Sequence, residues 1–392
     1  MKKNTKLLHD YPVLDERTGA SSIPKYQAST FHQGKLYNEA QSYSYTRFGN
    51  PTVKALESAY QSLEQSRYAL AYSSGMAAIS NVLMLLSSGD HVILPKEVYG
   101  GTCEFVTKIL PQYNIVASFI PLCDIELLQR TIKPNTKMIF IETPSNPLLK
   151  ICDIREIVAV AKQHDIVTVA DNTFMTALGQ QPLQLGVDIV VESVTKFING
   201  HSDVVGGLVA TNHDHFHEKL RLFQKNFGGI MSIEDAWLIL RGIKTLGVRM
   251  DKSIENAMQL ASYLEAHPKV NTVYYPGLKS HKHHDIHDTQ AENGGAVLSF
   301  ELKDGTKINS FTEALTFPII AVSLGGVETI ISHPATMSHA CVPLEERLNQ
   351  GITDGLLRVS CGIEDASDLI EDFENALATI KLNKGSRTQK RS

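Results

Sequence analysis

At 392 residues the chain is too long for one ordinary hydrophobic core, so two domains are expected. Hydrophobic residues make up 43% and charged residues 20%, the balance of a soluble globular protein, and a formal net charge of -5 gives no electrostatic reason to expect nucleic acid or an anionic membrane as partner. The opening Met1-Lys2-Lys3-Asn4-Thr5-Lys6 is polar, so no secretory leader is expected, and no run reaches the roughly 18 to 20 apolar residues that span a bilayer. Cys103, Cys123, Cys152, Cys341 and Cys361 are scattered without zinc-binding spacing. Reduced thiols and a cytoplasmic location are the expectation.

Residues 1–50 show no clear period and read as an extended arm. From about 65 to 210, short β-rich runs alternate with helical patterns. Strands are predicted at His91–Leu94, Val116–Ile120, Lys137–Ile141, Ile166–Ala170, Asp188–Val191 and Gly207–Ala210. Helices are predicted at Gly75–Leu86, Thr102–Leu110, Ile125–Ile132 and Ile154–His164, the last capped by Asp153. Runs such as Met138-Ile139-Phe140-Ile141 are apolar on both faces, as in strands covered by helices on both sides. The pattern is α/β: a doubly wound, mainly parallel sheet in a large domain, residues 51–244. Glu234-Asp235-Ala236-Trp237 followed by Arg241 reads as a helix with a buried Trp. Helical patterns at Thr245–His267 and Ala366–Lys381 flank strand-like Thr272–Tyr275 and Ala296–Leu302, a smaller α+β domain over residues 245–383. Residues 384–392 read as a frayed basic tail.

In an open α/β sheet, ligands bind beyond the carboxyl ends of the strands. Four polar groups fall at such ends: Ser73-Ser74-Gly75-Met76, Thr143-Pro144-Ser145-Asn146, Asp171-Asn172-Thr173 and Ser193-Val194-Thr195-Lys196. A Ser-Ser-Gly opening a helix offers free N–H groups and the positive end of the helix dipole to a phosphate, although a plain N-cap explains it equally well. Asp171 leaves an apolar strand, so its partly buried carboxylate needs a partner: a structural salt bridge, or a protonated ring nitrogen. Lys196 taken alone reads as a snorkelling surface lysine. In a strand-end crevice near other cations its pKa would fall, making the amine a nucleophile toward aldehydes. Phosphate cradle, acidic ring partner and reactive lysine are together the groups that pyridoxal phosphate (PLP) requires.

The same residues carry a resemblance. Ser74-Gly75-Met76-Ala77-Ala78, Tyr99-Gly100-Gly101-Thr102, the run from Glu142 to Pro147, Asp171-Asn172-Thr173-Phe174 and the run from Ser193 to Asp203 resemble the Cys/Met-metabolism PLP family. Runs 45–52, 323–329, 333–339 and 351–358 extend the likeness over nearly the whole chain. This is the fold-type I group that holds cystathionine γ-synthase, cystathionine β- and γ-lyases and methionine γ-lyase. The resemblance implies that Lys196 carries PLP as a Schiff base and moves protons, that Asp171 pairs with the pyridine nitrogen, and that Tyr99 stacks on the ring and helps in proton transfer, which makes Lys196, Tyr99 and Asp171 the catalytic set. It implies that Ser74, Gly75, Met76, Ser193 and Thr195 hold the phosphate, with Asn146 and Thr173 also at the cofactor. Tyr45 and Arg47 resemble a pair reaching the phosphate from a neighbouring subunit, which implies at least a dimer and, usually, a tetramer. Arg358 resembles the grip on the substrate α-carboxylate, helped by Ser323 and Asn146. Two departures are visible: Lys96-Glu97 stands where many relatives have acidic residues, and Glu192 where they usually have His.

The resemblance also frames the reaction. Methionine γ-lyases carry Cys directly after Tyr-Gly, where this chain has Gly101; Cys103, two residues on, is expected to be a buried structural thiol. Many γ-active relatives have an acidic residue before Ser-Leu-Gly-Gly, where this chain has Val322. That position, with residues 27–33 and 335–340, is most similar to bacterial cystathionine β-lyases, which make homocysteine, pyruvate and ammonia. The alternatives are γ-elimination, γ-replacement by a cystathionine γ-synthase or an O-acylhomoserine sulfhydrylase, and a catalytically silent PLP-binding scaffold. His281-Lys282-His283-His284 with His287 invites a metal reading, but the polar run reads as a solvated loop. Phe174 and Met175 could line a pocket or a core.

Overall fold

A computed structural model describes residues 1–34, 43–340 and 342–380; Cys341, the basic tail at 384–392 and the end of the expected C-terminal domain lie outside the described residues. The arm is not wholly extended. A short helix α1 (Lys3–His9) buries Leu7 in the same core as Leu56 and Tyr60 of α2 (Pro51–Glu64). Asn50 caps α2, its side chain accepting from Thr52 N at 2.9 Å, and Pro51 sits in the first turn, where no N–H is needed.

The large sheet is built from β1 (Tyr68–Tyr72), then, after α3 (Gly75–Leu83), β2 (His91–Pro95), β3 (Val116–Ile120), β4 (Thr136–Glu142), β5 (Val167–Asp171), β6 (Ile189–Ser193) and β7 (Gly207–Thr211). Their order is β1-β7-β6-β5-β4-β2-β3. Strands β2 to β6 pair in parallel and β7 is antiparallel to both neighbours, so β1 points the same way as β6. This is the expected doubly wound, mainly parallel sheet. Alternation along β6 shows why its sequence is apolar throughout. Ile189 and Val191 pack with Leu83 of α3, while Val190 packs with Leu56 and Tyr60 of α2 on the other face. Truncating a fully buried Leu in such a layer costs about 2–5 kcal/mol.

The smaller sheet, order β10-β11-β12-β9-β8, contains β8 (Val270–Tyr274), β9 (Val297–Leu302), β10 (Ile319–Ile320), β11 (Ile330–Ser332) and β12 (Leu356–Ser360). Helices Leu246–Ala266 and Ala366–Thr379 cover it, burying Leu260, Leu264 and Phe373 against Phe300. The α+β texture is as expected.

Some local expectations fail for identifiable reasons. The helix expected at Thr102–Leu110 begins earlier, at Gly100–Glu104, widens into a π turn at Phe105–Ile109 and tightens into a 3-10 turn at Leu110–Tyr113, where Pro111 has no N–H to continue the ladder. The histidine run is not a solvated loop. His281 and His287 are buried, His284–Gln290 is helical, and His281, His284 and His287 each hydrogen-bond a backbone carbonyl, of Leu149, Pro276 and Asn293. Trp237 is half-buried, donating to Ile23 O at 3.1 Å beneath the Lys25 ammonium. Among the described residues, no helix is long and apolar enough to cross a membrane.

Candidate active site

Four strands of the large sheet, β1, β4, β5 and β6, send their carboxyl ends to one rim, and a cavity of about 590 Å³ opens there. Ser74, Gly75 and Met76 follow β1; Asn146 follows β4; Asp171 ends β5, with Thr173 beyond it; Ser193, Thr195 and Lys196 lead out of β6. Tyr99 joins from the turn after β2, and Ser323 and Arg358 enter from the small sheet's side. Tyr45 and Arg47 do not reach this cavity. Tyr45 is exposed, and Arg47 Nη1 donates to Lys225 O at 2.8 Å.

At the α3 end, Ser74 caps the helix, Oγ accepting from Ala77 N at 2.9 Å. The N–H groups of Gly75 and Met76 stay without intrahelical partners and face the cavity with the helix dipole behind them. Gly75 is required by contact: a Cβ there would lie 2.9 Å from Ser193 Cβ.

At the Lys196 end, Nζ donates to Ser323 Oγ at 2.6 Å. Burial and the Arg358 cation lower the Lys196 pKa to about 8, against the opposing pull of Asp171. Ser323 holds a left-handed backbone at φ 85°, a strained conformation for a residue with a side chain. Its carbonyl accepts from Arg358 Nη2 at 2.5 Å, while Arg358 Nη1 donates to Asn146 Oδ1 at 2.8 Å. Arg358 is 4% exposed and its Nε has no partner among the described residues.

Asp171 Oδ1 accepts from Thr173 N at 3.0 Å and from Thr173 Oγ1 at 2.5 Å, and Thr173 Oγ1 in turn accepts from Ser193 N at 2.9 Å. Oδ2 has no protein donor among the described residues. Burial raises the Asp171 pKa, opposed by the Thr173 donors and Lys196, so a further cation at Oδ2 would favour the carboxylate.

Sequence reasoning did not single out Glu142, which sits beside Asp171 in register. Its carboxyl accepts from Tyr99 N at 2.9 Å and Asn146 N at 3.1 Å, so one buried side chain fixes two wall residues. Burial, with Asp171 second, raises its pKa to about 8. Its signal was available: an acid ending an apolar strand, as Asp171 does. Phe174 lines the cavity and Met175 is core; Val205, Met337 and Ser338 were not anticipated at the wall. Cys103 is only half-buried, and Glu97 is a buried partner of Lys150.

The sequence matches the Cys/Met metabolism PLP-dependent enzymes over residues 4–378. The chain belongs to this family. It is 49% identical over 376 residues to cystathionine beta-lyase MetC of Bacillus subtilis (strain 168), covering 96% of each chain. It is 48% identical over 380 residues to cystathionine gamma-lyase of the same strain, covering 97% of this chain and all, 100%, of the relative. The crystal structure of cystathionine gamma-lyase from Lactobacillus plantarum complexed with L-serine superposes with a TM-score of 0.94 at 41% identity, covering 97% of this chain and 99% of that one. This member of the Cys/Met metabolism family is therefore a PLP-dependent carbon–sulfur lyase of fold type I.

The cavity fits that cofactor. An amine of lowered pKa meets the need for a nucleophile toward an aldehyde, a carboxylate oxygen without a protein donor suits a ring N–H, and two free helix N–H groups suit a phosphate.

Proposed function

We propose that this enzyme is a cystathionine β-lyase, releasing homocysteine, pyruvate and ammonia. The observation that carries the choice of reaction is Val322, an apolar residue 65% exposed on the cavity wall next to Ser323. It offers no charge to a distal substrate ammonium at the position where many γ-active relatives place an acid. The γ-lyase reading is second, favoured by the 48% identity to a cystathionine gamma-lyase.

Pyridoxal phosphate, when bound, supplies the electron sink for charge developing at the substrate Cα. The chain supplies the rest. Lys196 is the covalent anchor and, with its lowered pKa, a base for the Cα proton. Arg358, held by Asn146 and Ser323, presents its guanidinium to the substrate α-carboxylate. Asp171 offers a carboxylate to the ring nitrogen, with Thr173 fixing its other oxygen. Gly75 and Met76, with Ser74, Ser193 and Thr195, form the phosphate cradle. Tyr99, fixed through Glu142, is the residue that stacks on the ring.

Tyr45 and Arg47 complete the cradle from a neighbouring subunit in this reading, which makes the enzyme at least a dimer. Their position outside their own chain's cavity, with Tyr45 and Phe48 exposed, supports it. The division into an arm (1–50), a cofactor domain (51–244) and a C-terminal domain (245–383) belongs to the same reading, supported by the two separate sheets. So does a cytoplasmic location, supported by free thiols at Cys123, Cys152 and Cys361. Incubation with cystathionine tests the reaction: pyruvate and homocysteine are expected, and cysteine with 2-oxobutanoate without pyruvate overturns β-elimination.

A further inference from the structure

Two carboxyl groups of the large domain take no part in the chemistry derived above. Glu192 lies in β6 and Glu64 ends α2; they are 2% and 0% exposed. Alternation along β6 sends Glu192 to the same face as Val190, toward α2, and turns Ser193 to the cavity side. Glu192 is also the residue that departs from the His usual among relatives.

The pair has specific surroundings. Glu192 Oε1 accepts from Asn172 Nδ2 at 3.3 Å, and Glu64 Oε1 accepts from the Tyr60 hydroxyl at 3.4 Å. The two carboxyls lie close enough to act directly on each other. Glu64 Oε2 is sealed from solvent and meets no donor among the described residues. The groups acting on the pair are Tyr60 from α2, Asp171 from β5 and Asn172 just beyond it, and none is a cation. Two carboxylates with no cation acting on them among the described residues repel each other and lose their hydration, and an unmet buried acceptor adds to the cost. A proton on one carboxyl removes the repulsion and provides the donor that Glu64 Oε2 lacks.

We propose that Glu64 and Glu192 share a proton, and that the link so formed holds Asn172, and through it Asp171, in position. Asn172 is the joint of that turn. Its N–H donates to Val191 O at 3.0 Å, its Nδ2 also donates to Gln180 O at 2.8 Å, and its carbonyl accepts from Met175 N and Thr176 N. Asp171 precedes it and Thr173, the donor to Asp171, follows. Glu192 and Glu64 are thus positioning residues that touch neither cofactor nor substrate.

Burial raises both carboxyls, Glu64 to about 7 and Glu192 upward, in line with a proton retained near neutrality. In the unfolded chain both ionise near the ordinary carboxylate value of about 4.3. The folded state then binds more protons, so stability falls as pH rises from that range through the folded values.

Melting temperatures of the holoenzyme from about pH 5 to about pH 9 test this in Glu192→Gln, Glu64→Gln and the double variant. Other raised carboxyls, Glu57 and Glu142, are common to all four proteins, do not act on the pair and cancel in the differences. Each single variant supplies the missing donor as an amide, so each is expected to gain on the parent as pH rises, and the double variant to show no steeper gain than either single. Singles that track the parent at every pH overturn the proposal, as does a double variant whose gain is the sum of the two. Glu192→Leu reads the positioning role: it is expected to lose cofactor absorbance on gel filtration, with Gln restoring it. Equal retention in Leu and Gln variants overturns that role. None of these readouts uses substrate, so they are independent of which carbon–sulfur bond the enzyme breaks.

Discussion

Arg358 Nη1 donates to Asn146 Oδ1 at 2.8 Å, joining residues 212 positions apart in the chain and tying the small sheet to the rim of the large one. The guanidinium is aimed by the loop after β4 and by Ser323, so its direction depends on both sheets. Charge-assisted hydrogen bonds are worth about 1.5–3 kcal/mol. Arg358→Lys, which keeps the charge and loses the fork, is therefore expected to lower kcat/KM about 10- to 100-fold. Asn146→Ala is expected to act in the same direction through a misaimed guanidinium. Steady-state kinetics on cystathionine checks both.

Lys196 is the only group in the cavity offered as both anchor and base. Lys196→Ala is expected to lower kcat by at least about 100-fold, the lower range for loss of a general base. After borohydride treatment, the parent is expected to carry the cofactor's mass on the Lys196 peptide and the variant none. Peptide mass spectrometry decides it.

The lowered Lys196 pKa gives a pH dependence with a definite sign. Burial and Arg358 disfavour the ammonium, so the free amine becomes the major form above about pH 8. Cofactor capture by the apoprotein is expected to accelerate about tenfold per pH unit below that value and to level off above it. Stopped-flow absorbance measures the profile, and a flat profile between pH 6 and 8 would remove Lys196 as the titrating group.

Much of this site was legible because strand ends announce themselves. Apolar runs followed by Asp171, by Ser193 or by Asn146 mark the rim of a parallel sheet in the chain itself. Lys196 needed the others: alone its sequence favoured a surface lysine. What escaped was governed by contact across the chain. Glu142 carries its role in hydrogen bonds to Tyr99 and Asn146. His281 and His287 read as solvated because the carbonyls that hydrogen-bond them, on Leu149 and Asn293, are brought to them by folding. The short strands β10 and β11, of two and three residues, are too brief to show a period.

Gly325 backs Lys196 directly. It adopts φ +80°, and a Cβ there would fall 2.5 Å from Phe197 N and 2.8 Å from Lys196 C. Gly325→Ala must strain its own backbone or displace Lys196. A loss of about 1–3 kcal/mol in stability is expected from the backbone conformation alone. Cofactor retention should fall with it. Denaturant midpoints and absorbance at the cofactor band check the two effects separately.

Val322 tests the choice of reaction most directly. Its side chain stands on the cavity wall, well exposed, so an introduced acid would keep most of its hydration. A solvent-exposed ion pair is worth about 0–1 kcal/mol, which converts to no more than about fivefold. Val322→Glu is therefore expected to raise the ratio of 2-oxobutanoate to pyruvate formed from cystathionine by a few-fold, without reversing the preference. High salt should erase the gain, because an exposed pair is screened. Keto-acid analysis at low and high ionic strength reads both. A complete switch of product would mean that Val322 excludes the γ orientation sterically, and that the charge at this position was not the deciding quantity.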